Sequence, residues 1–188
     1  MKTLAFAVIL AFGPVSAFAC PAVPDRSDEV ARLLTEVQHA KSEAEARIVT
    51  NKLWEIWATA PDETAQGYLD RGMSYRSEYN FYAATQVFTK LIEYCPDYAE
   101  GYNQLAFVRF LEGNYAEALP DLEAAIARDP THVAAIAGQA LTLFGLGRMK
   151  AGRTVLRQAL RLNPWLPERH MLNGFEHEVT PEAPATDL

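Results

Sequence analysis

Two cysteines, four histidines and four methionines are all that the 188 residues supply of the softer metal ligands. No Cys-x2-Cys pair occurs, and no two of His39, His132, His170 and His177 stand at the i, i+4 spacing that shares one helix face. His170 and His177 flank an expected helix end and read as solvated. The chain also lacks a Gly-x-Ser-x-Gly elbow, a Cys-x-x-Cys-His haem site and a phosphate-cradling glycine loop. Gly145-x-Gly147 closes a helix-like run instead of following a strand, so it reads as a turn. No catalytic residue, cofactor or metal is therefore expected, and the chain does not read as an enzyme. Positive charge is also short. Against 24 acidic residues stand 17 basic ones, for a net charge of −7 and a pI near 5.1. Phosphate backbones and anionic bilayers both demand dense Lys and Arg, which excludes nucleic acid and the membrane face as main partners.

Long apolar runs are equally scarce. The one that stands out is Leu4 to Phe12, preceded by Lys2 and broken by Gly13-Pro14. It has about half of the ~20 residues that a membrane span requires. Ala17-Phe18-Ala19 then offers small residues at alternate positions, as a signal peptidase accepts. Residues 1–19 are expected to be a secretory signal peptide cut after Ala19. A lipid-modified Cys20 is the alternative, opposed by bulky Phe18 where such sites carry a small residue.

What is present is a repeat. Pro96, Pro130 and Pro164 stand 34 residues apart, each after a helix-like run. Counting back gives units 65–98, 99–132 and 133–166. They align Tyr68, Gly72, Tyr75, Ala84 and Phe88 with Tyr102, Ala106, Arg109, Ala118 and Leu122, and with Ile136, Ala140, Leu143, Gly152 and Leu156. Small Gly72, Ala106 and Ala140 let one helix of a unit approach the next, and the larger residues fill the space beside them. Over roughly 100 residues the chain resembles the tetratricopeptide repeat (TPR) family. The implied fold is all-α: a helix-pair solenoid of three clear 34-residue repeats.

Local signals place the helix ends. Asp97 with Glu100 and Asn114 with Glu117 have capping-box spacing, Asn80 and Thr131 read as simple caps, and Pro120 should kink the helix that carries it. Ahead of the repeats, 20–64 reads as an arm and a divergent helix pair, Asp28–His39 and Glu43–Thr59. The second helix starts at the capping box Ser42-x-x-Glu45. This pair serves as a divergent first repeat or an N-terminal cap, and Trp54 and Trp57 read as its packing residues. Residues 167–176 would cap the far end, and the acidic tail 177–188 reads as disordered.

In the TPR family the first helix of each unit lines a concave groove. By that resemblance the groove residues are Gln66, Leu69, Met73 and Arg76, then Asn103, Phe107 and Phe110, then Ala137, Leu141 and Phe144. They form an apolar strip suited to a peptide or helix segment, unless the chain covers it itself. Chaperone-binding TPR domains hold a terminal carboxylate with Lys, Asn and Arg. Here those positions carry Leu69, Met73, Gln104, Ala134 and Gly138, so that clamp is missing. All eight tyrosines lie between Tyr68 and Tyr115, and Tyr79, Tyr82, Tyr94 and Tyr98 fall outside the repeat packing positions. They are either binding surface or loop-edge packing.

These readings describe a periplasmic, non-catalytic scaffold that binds another protein. A lipid-anchored envelope-assembly factor and an enzyme with an unrecognised site remain the alternatives. In helix-pair stacks the starts of first helices and the ends of second helices share one edge, which brings Cys20 within reach of Cys95. A disulfide Cys20–Cys95 is expected; the alternative is a lipidated Cys20 with Cys95 buried and free.

Overall fold

The computed structural model describes residues 20–175, so the expected leader 1–19 and tail 177–188 lie outside it. Among the described residues all regular structure is helical. The order is α1 (Ser27–Gln38), α2 (Glu43–Trp57), α3 (Glu63–Ser77), α4 (Phe81–Tyr94), α5 (Ala99–Leu111), α6 (Tyr115–Arg128), α7 (Val133–Gly145) and α8 (Met149–Leu162), followed by a 3-10 segment Pro167–Phe175. Helices α3–α4, α5–α6 and α7–α8 pack as pairs, and α4 on α5 and α6 on α7 join the pairs into a stack.

Backbone approach sets the pair geometry. A Cβ on Gly72 would lie 2.4 Å from the Phe88 ring, and one on Gly152 would lie 2.6 Å from Phe144. Neither site admits any side chain without moving an aromatic ring. Each pair also turns through a left-handed residue one repeat apart: Gly113 at φ 78°, Gly147 at φ 72°, and Tyr79 at φ 60°. A Cβ in that region costs about 1–2 kcal/mol, and Tyr79 recovers little by burial because it is 81% exposed. Tyr79→Gly should therefore raise stability by about 0.5–1 kcal/mol after the extra chain entropy of glycine is counted. A higher urea midpoint at unchanged slope would show it; a lower midpoint would mean that the edge contact of Tyr79 with Phe81 matters more than the strain.

Several helix starts follow the sequence. Ser42 accepts from the Glu45 N–H at 3.2 Å and the Glu45 carboxylate accepts from the Lys41 N–H at 2.9 Å. Asn80 accepts from Ala83 N–H; Asp62, a cap that the sequence reading did not name, accepts from Ala65 N–H. Others do not. Tyr98, not Asp97, takes the cap position of α5, because the Glu100 carboxylate turns inward to buried donors and does not reach back. Asn114 occupies the cap position of α6 without a side-chain bond to the helix. His132, not Thr131, caps α7, while Thr131 bonds to Asp129. Helix α6 continues as one helix through Pro120; Arg109 of α5 braces that stretch, donating to the Glu117 carbonyl at 3.1 Å and the Asp121 carboxylate at 2.5 Å.

The N-terminal pair does not simply precede the stack. Helix α1 packs on α8, at the opposite end of the repeats. Val49, Leu53 and Trp57 of α2 share a buried cluster with Leu33, Leu34 and Val37 of α1 and with Val133 of α7, and Leu162, Trp165 and Leu166 close it. Polar contacts repeat the connection: Gln38 donates to the Leu162 carbonyl, Asn163 to Thr50 Oγ1, and Arg169 pairs with Glu43. The hairpin α1–α2 thus bridges to the C-terminal pair. At its start, Cys20 and Cys95 lie at disulfide-bonding distance with Cα atoms 5.1 Å apart.

Candidate functional site

Because the hairpin leans across, a half-open space of about 580 Å³ lies between α2 and the inner faces of α3, α5 and α7. Its walls are Leu53, Trp54 and Trp57 from α2, Met73 and Arg76 from α3, Asn103, Phe107 and Phe110 from α5, Ala137 and Leu141 from α7, and Leu166 and Pro167 beyond α8. Most of this lining is apolar. Phe107 and Trp54 remain 43% and 38% exposed, so both offer apolar ring surface to solvent.

The structure brings together most of the groove expected from sequence: Met73, Arg76, Asn103, Phe107, Phe110, Ala137 and Leu141 share this cavity. Leu69 and Phe144 are corrections. Leu69 is fully buried with Ala65, Phe88 and Leu91, filling the contact of α3 with α4. Phe144 packs with Ala140 and Leu156 over Gly152, where the missing Cβ makes room for its ring. Gln66 does not line the cavity either. It holds the α2–α3 connection, accepting from Ala60 N–H and donating to the Ala58 carbonyl.

A polar network lies under one wall. The Glu100 carboxylate is 1% exposed and accepts from Asn103 Nδ2 at 3.0 Å and Gln104 Nε2 at 2.5 Å, with His132 Nε2 at 2.8 Å. His132 Nδ1 accepts from the Ala135 N–H, so that nitrogen carries no proton and Nε2–H is the donor to Glu100. The imidazole is therefore a cap and a strut, with neither nitrogen left for chemistry. Arg76 donates to Gln104 Oε1 and lies 4.9 Å over the Phe107 ring. Burial pushes the Arg76 guanidinium below its ordinary value, and the Glu100 charge opposes that shift. Trp57 seals the network from above. Its ring stacks on His132 at 4.3 Å and 15°, and its Nε1 donates to Asp129 at 3.0 Å. Tyr98 donates to the Trp57 carbonyl at 2.5 Å, and burial pushes that phenol well above its usual range.

Sequence reasoning missed Glu100 and His132 as a pair. They are 32 residues apart, close to one repeat period, and that spacing is the signal that could have found them. The surplus tyrosines divide. Tyr94 and Tyr98 are structural, donating to Asp62 and Trp57, whereas Tyr79 and Tyr82 are exposed. Beside the cavity, Thr142 Oγ1 and Glu168 Oε2 are buried without a hydrogen-bond partner. Among the described residues no group of three His, Cys, Asp or Glu could hold a metal ion, and no helix is long and apolar enough to cross a membrane.

Residues 109–172 match the tetratricopeptide repeat model. The fold is a TPR solenoid. A TPR repeat-containing protein of Rhizobium etli is 25% identical over 116 residues, covering 62% of this chain and 57% of that protein. The chain thus spans little more than half the length of the curated relative it matches. The first TPR of Spaghetti (RPAP3), bound to the HSP90 peptide SRMEEVD, aligns with a TM-score of 0.57 at 20% identity, over 58% of this chain and 88% of that one. MamA from Desulfovibrio magneticus RS-1 aligns with a TM-score of 0.55 at 21% identity, over 82% and 85% of the two chains. These likenesses establish the TPR fold. In this TPR stack the first helices α3, α5 and α7 present the concave face, and α2 lies against it.

Proposed function

We propose that the chain is a non-catalytic TPR binding module of the periplasm that takes an apolar peptide or helix segment of another protein on its concave face. The observation that carries this reading is the apolar cavity, with Phe107 and Trp54 still presenting ring surface to solvent. Thr142 Oγ1 and Glu168 Oε2 add two polar points that a segment's N–H or hydroxyl groups could meet. A TPR neighbour with a bound peptide supports the use of such a face. A Cys20–Cys95 bond fits an oxidising compartment and leaves no Cys20 thiol for a lipid anchor.

The test is capture of partners from envelope extract by intact chain and by Phe107→Glu/Phe110→Glu. The double variant places two charges on the apolar wall and should lose its partners by at least about tenfold. Recovery of the same partners by both proteins would show that the groove is not the binding site.

A further inference from the structure

The concave face already holds a segment of this chain. Trp57 supplies the anchor of that contact, a stacked ring with a polar edge: it covers His132 and donates to Asp129. Aromatic anchors of this kind dominate binding energy at interfaces. The hairpin's other contacts with the C-terminal pair are the apolar seat formed by Val133, Leu162, Trp165 and Leu166 and three polar contacts, two of them exposed. Two covalent links hold the hairpin at the α3–α4 end: the chain at 58–62, and Cys20–Cys95.

We propose that α1–α2 is a displaceable internal occupant of the groove, and that the Cys20–Cys95 bond governs its displacement. The partner that replaces it is an amphipathic helical segment bearing an aromatic side chain with an N–H donor, matched to the His132 face and the Asp129 carboxylate. This rests on the reading of the groove as a binding site and adds its control. With the bond intact, α1 can move only as far as the arm 21–26 reaches, roughly 20 Å when extended. The hairpin then competes for its seat as a doubly tethered ligand, at a higher effective concentration than the link at 58–62 alone would give. Reduction leaves one link. The thiolate of a dithiol reductant attacks Sγ of Cys20, the less buried of the two cysteines, and Cys95 leaves as a thiolate that takes up a proton. The reductant's second thiol then closes on the mixed disulfide, giving Cys20 and Cys95 thiols and one oxidised dithiol.

The probe is a labelled peptide with the sequence of residues 43–57, titrated into oxidised chain, reduced chain and Cys20→Ser. The reduced and Cys20→Ser proteins should bind it at least about tenfold more tightly than the oxidised one, and a Trp57→Ala peptide should lose that binding. Equal affinity in both redox states, no binding to the reduced chain, or indifference to Trp57→Ala each overturns the proposal. Hydrogen exchange on the full chain gives a second readout without peptide: after reduction α1–α2 should exchange at least about tenfold ahead of α5–α8. Protection common to all these helices would also overturn it. Loss of partners by Phe107→Glu/Phe110→Glu, together with redox-independent peptide binding, would leave the groove standing and remove its control.

Discussion

Glu100→Ala should lower the unfolding free energy by about 3–5 kcal/mol, because each buried donor left without its acceptor costs about 1–3 kcal/mol. The carboxylate is 1% exposed and gathers Asn103, Gln104 and His132, with Arg76 attached through Gln104. Alanine would leave three buried donors without an acceptor and the half-buried guanidinium without its counter-charge. Glu100→Gln keeps one acceptor oxygen and should cost less, about 1–3 kcal/mol. Urea unfolding followed by tryptophan fluorescence reads both, since Trp57 stacks on the His132 ring that loses its partner. A cycle with His132→Ala should show coupling of at least about 0.5 kcal/mol, since the two side chains are in contact. A Glu100→Ala protein within about 1 kcal/mol of wild type would mean that water replaces the carboxylate and that the network is not buried in solution.

Glu100 also shows where sequence reading stops. Its spacing from Asp97 matches a capping box, and a local pattern can say no more. The structure instead starts α5 at a Tyr98 cap and rotates Glu100 onto the inner face, where donors on its own helix and His132 wait. Local rules rank hydrogen-bond partners by sequence distance; a repeat stack supplies partners one period away. The same limit explains Leu69 and Phe144. A helix turns about 100° per residue, so a position near the edge of the inner face can point into the groove or toward the paired helix. Phe88 beside Gly72 draws Leu69 toward α4, and the gap over Gly152 draws Phe144 toward α8.

The repeats themselves were legible because each unit buries its small and large residues against its immediate neighbour. The 34-residue period of the prolines marks where every pair ends. The docking of α1–α2 was not legible, since its contacts join residues 72 to 126 positions apart and obey no period. Trp57 reads correctly as a packing residue, yet nothing in the helical spacing of α2 names α7 as the surface it packs on. An amphipathic helix declares that it has a partner without saying which one. The outcome matters for function: a stack that would present an open groove instead presents a half-open cavity walled on one side by its own N-terminal hairpin.

Breaking the Cys20–Cys95 link should be the other large effect. It closes a loop of sequence separation 75. In the chain-entropy account such a closure stabilises by about 4 kcal/mol, mainly by restricting the unfolded chain. For a chain of this size that corresponds to a Tm lower by about 8–16 °C after reduction. Cys20→Ser is the cleaner variant. Cys95 is 1% exposed among Phe88, Leu91 and Tyr98, where a free thiol persists as a small apolar group, whereas a serine hydroxyl would be buried there. Calorimetry of oxidised, reduced and Cys20→Ser protein should therefore place the last two together and well below the first. Thiol titration of the denatured, unreduced chain checks the premise, and two free thiols would remove it. If the bond forms but reduction shifts Tm by less than about 3 °C, the unfolded chain is not what the link restrains. Residual order in the unfolded arm would then leave the link little chain entropy to remove.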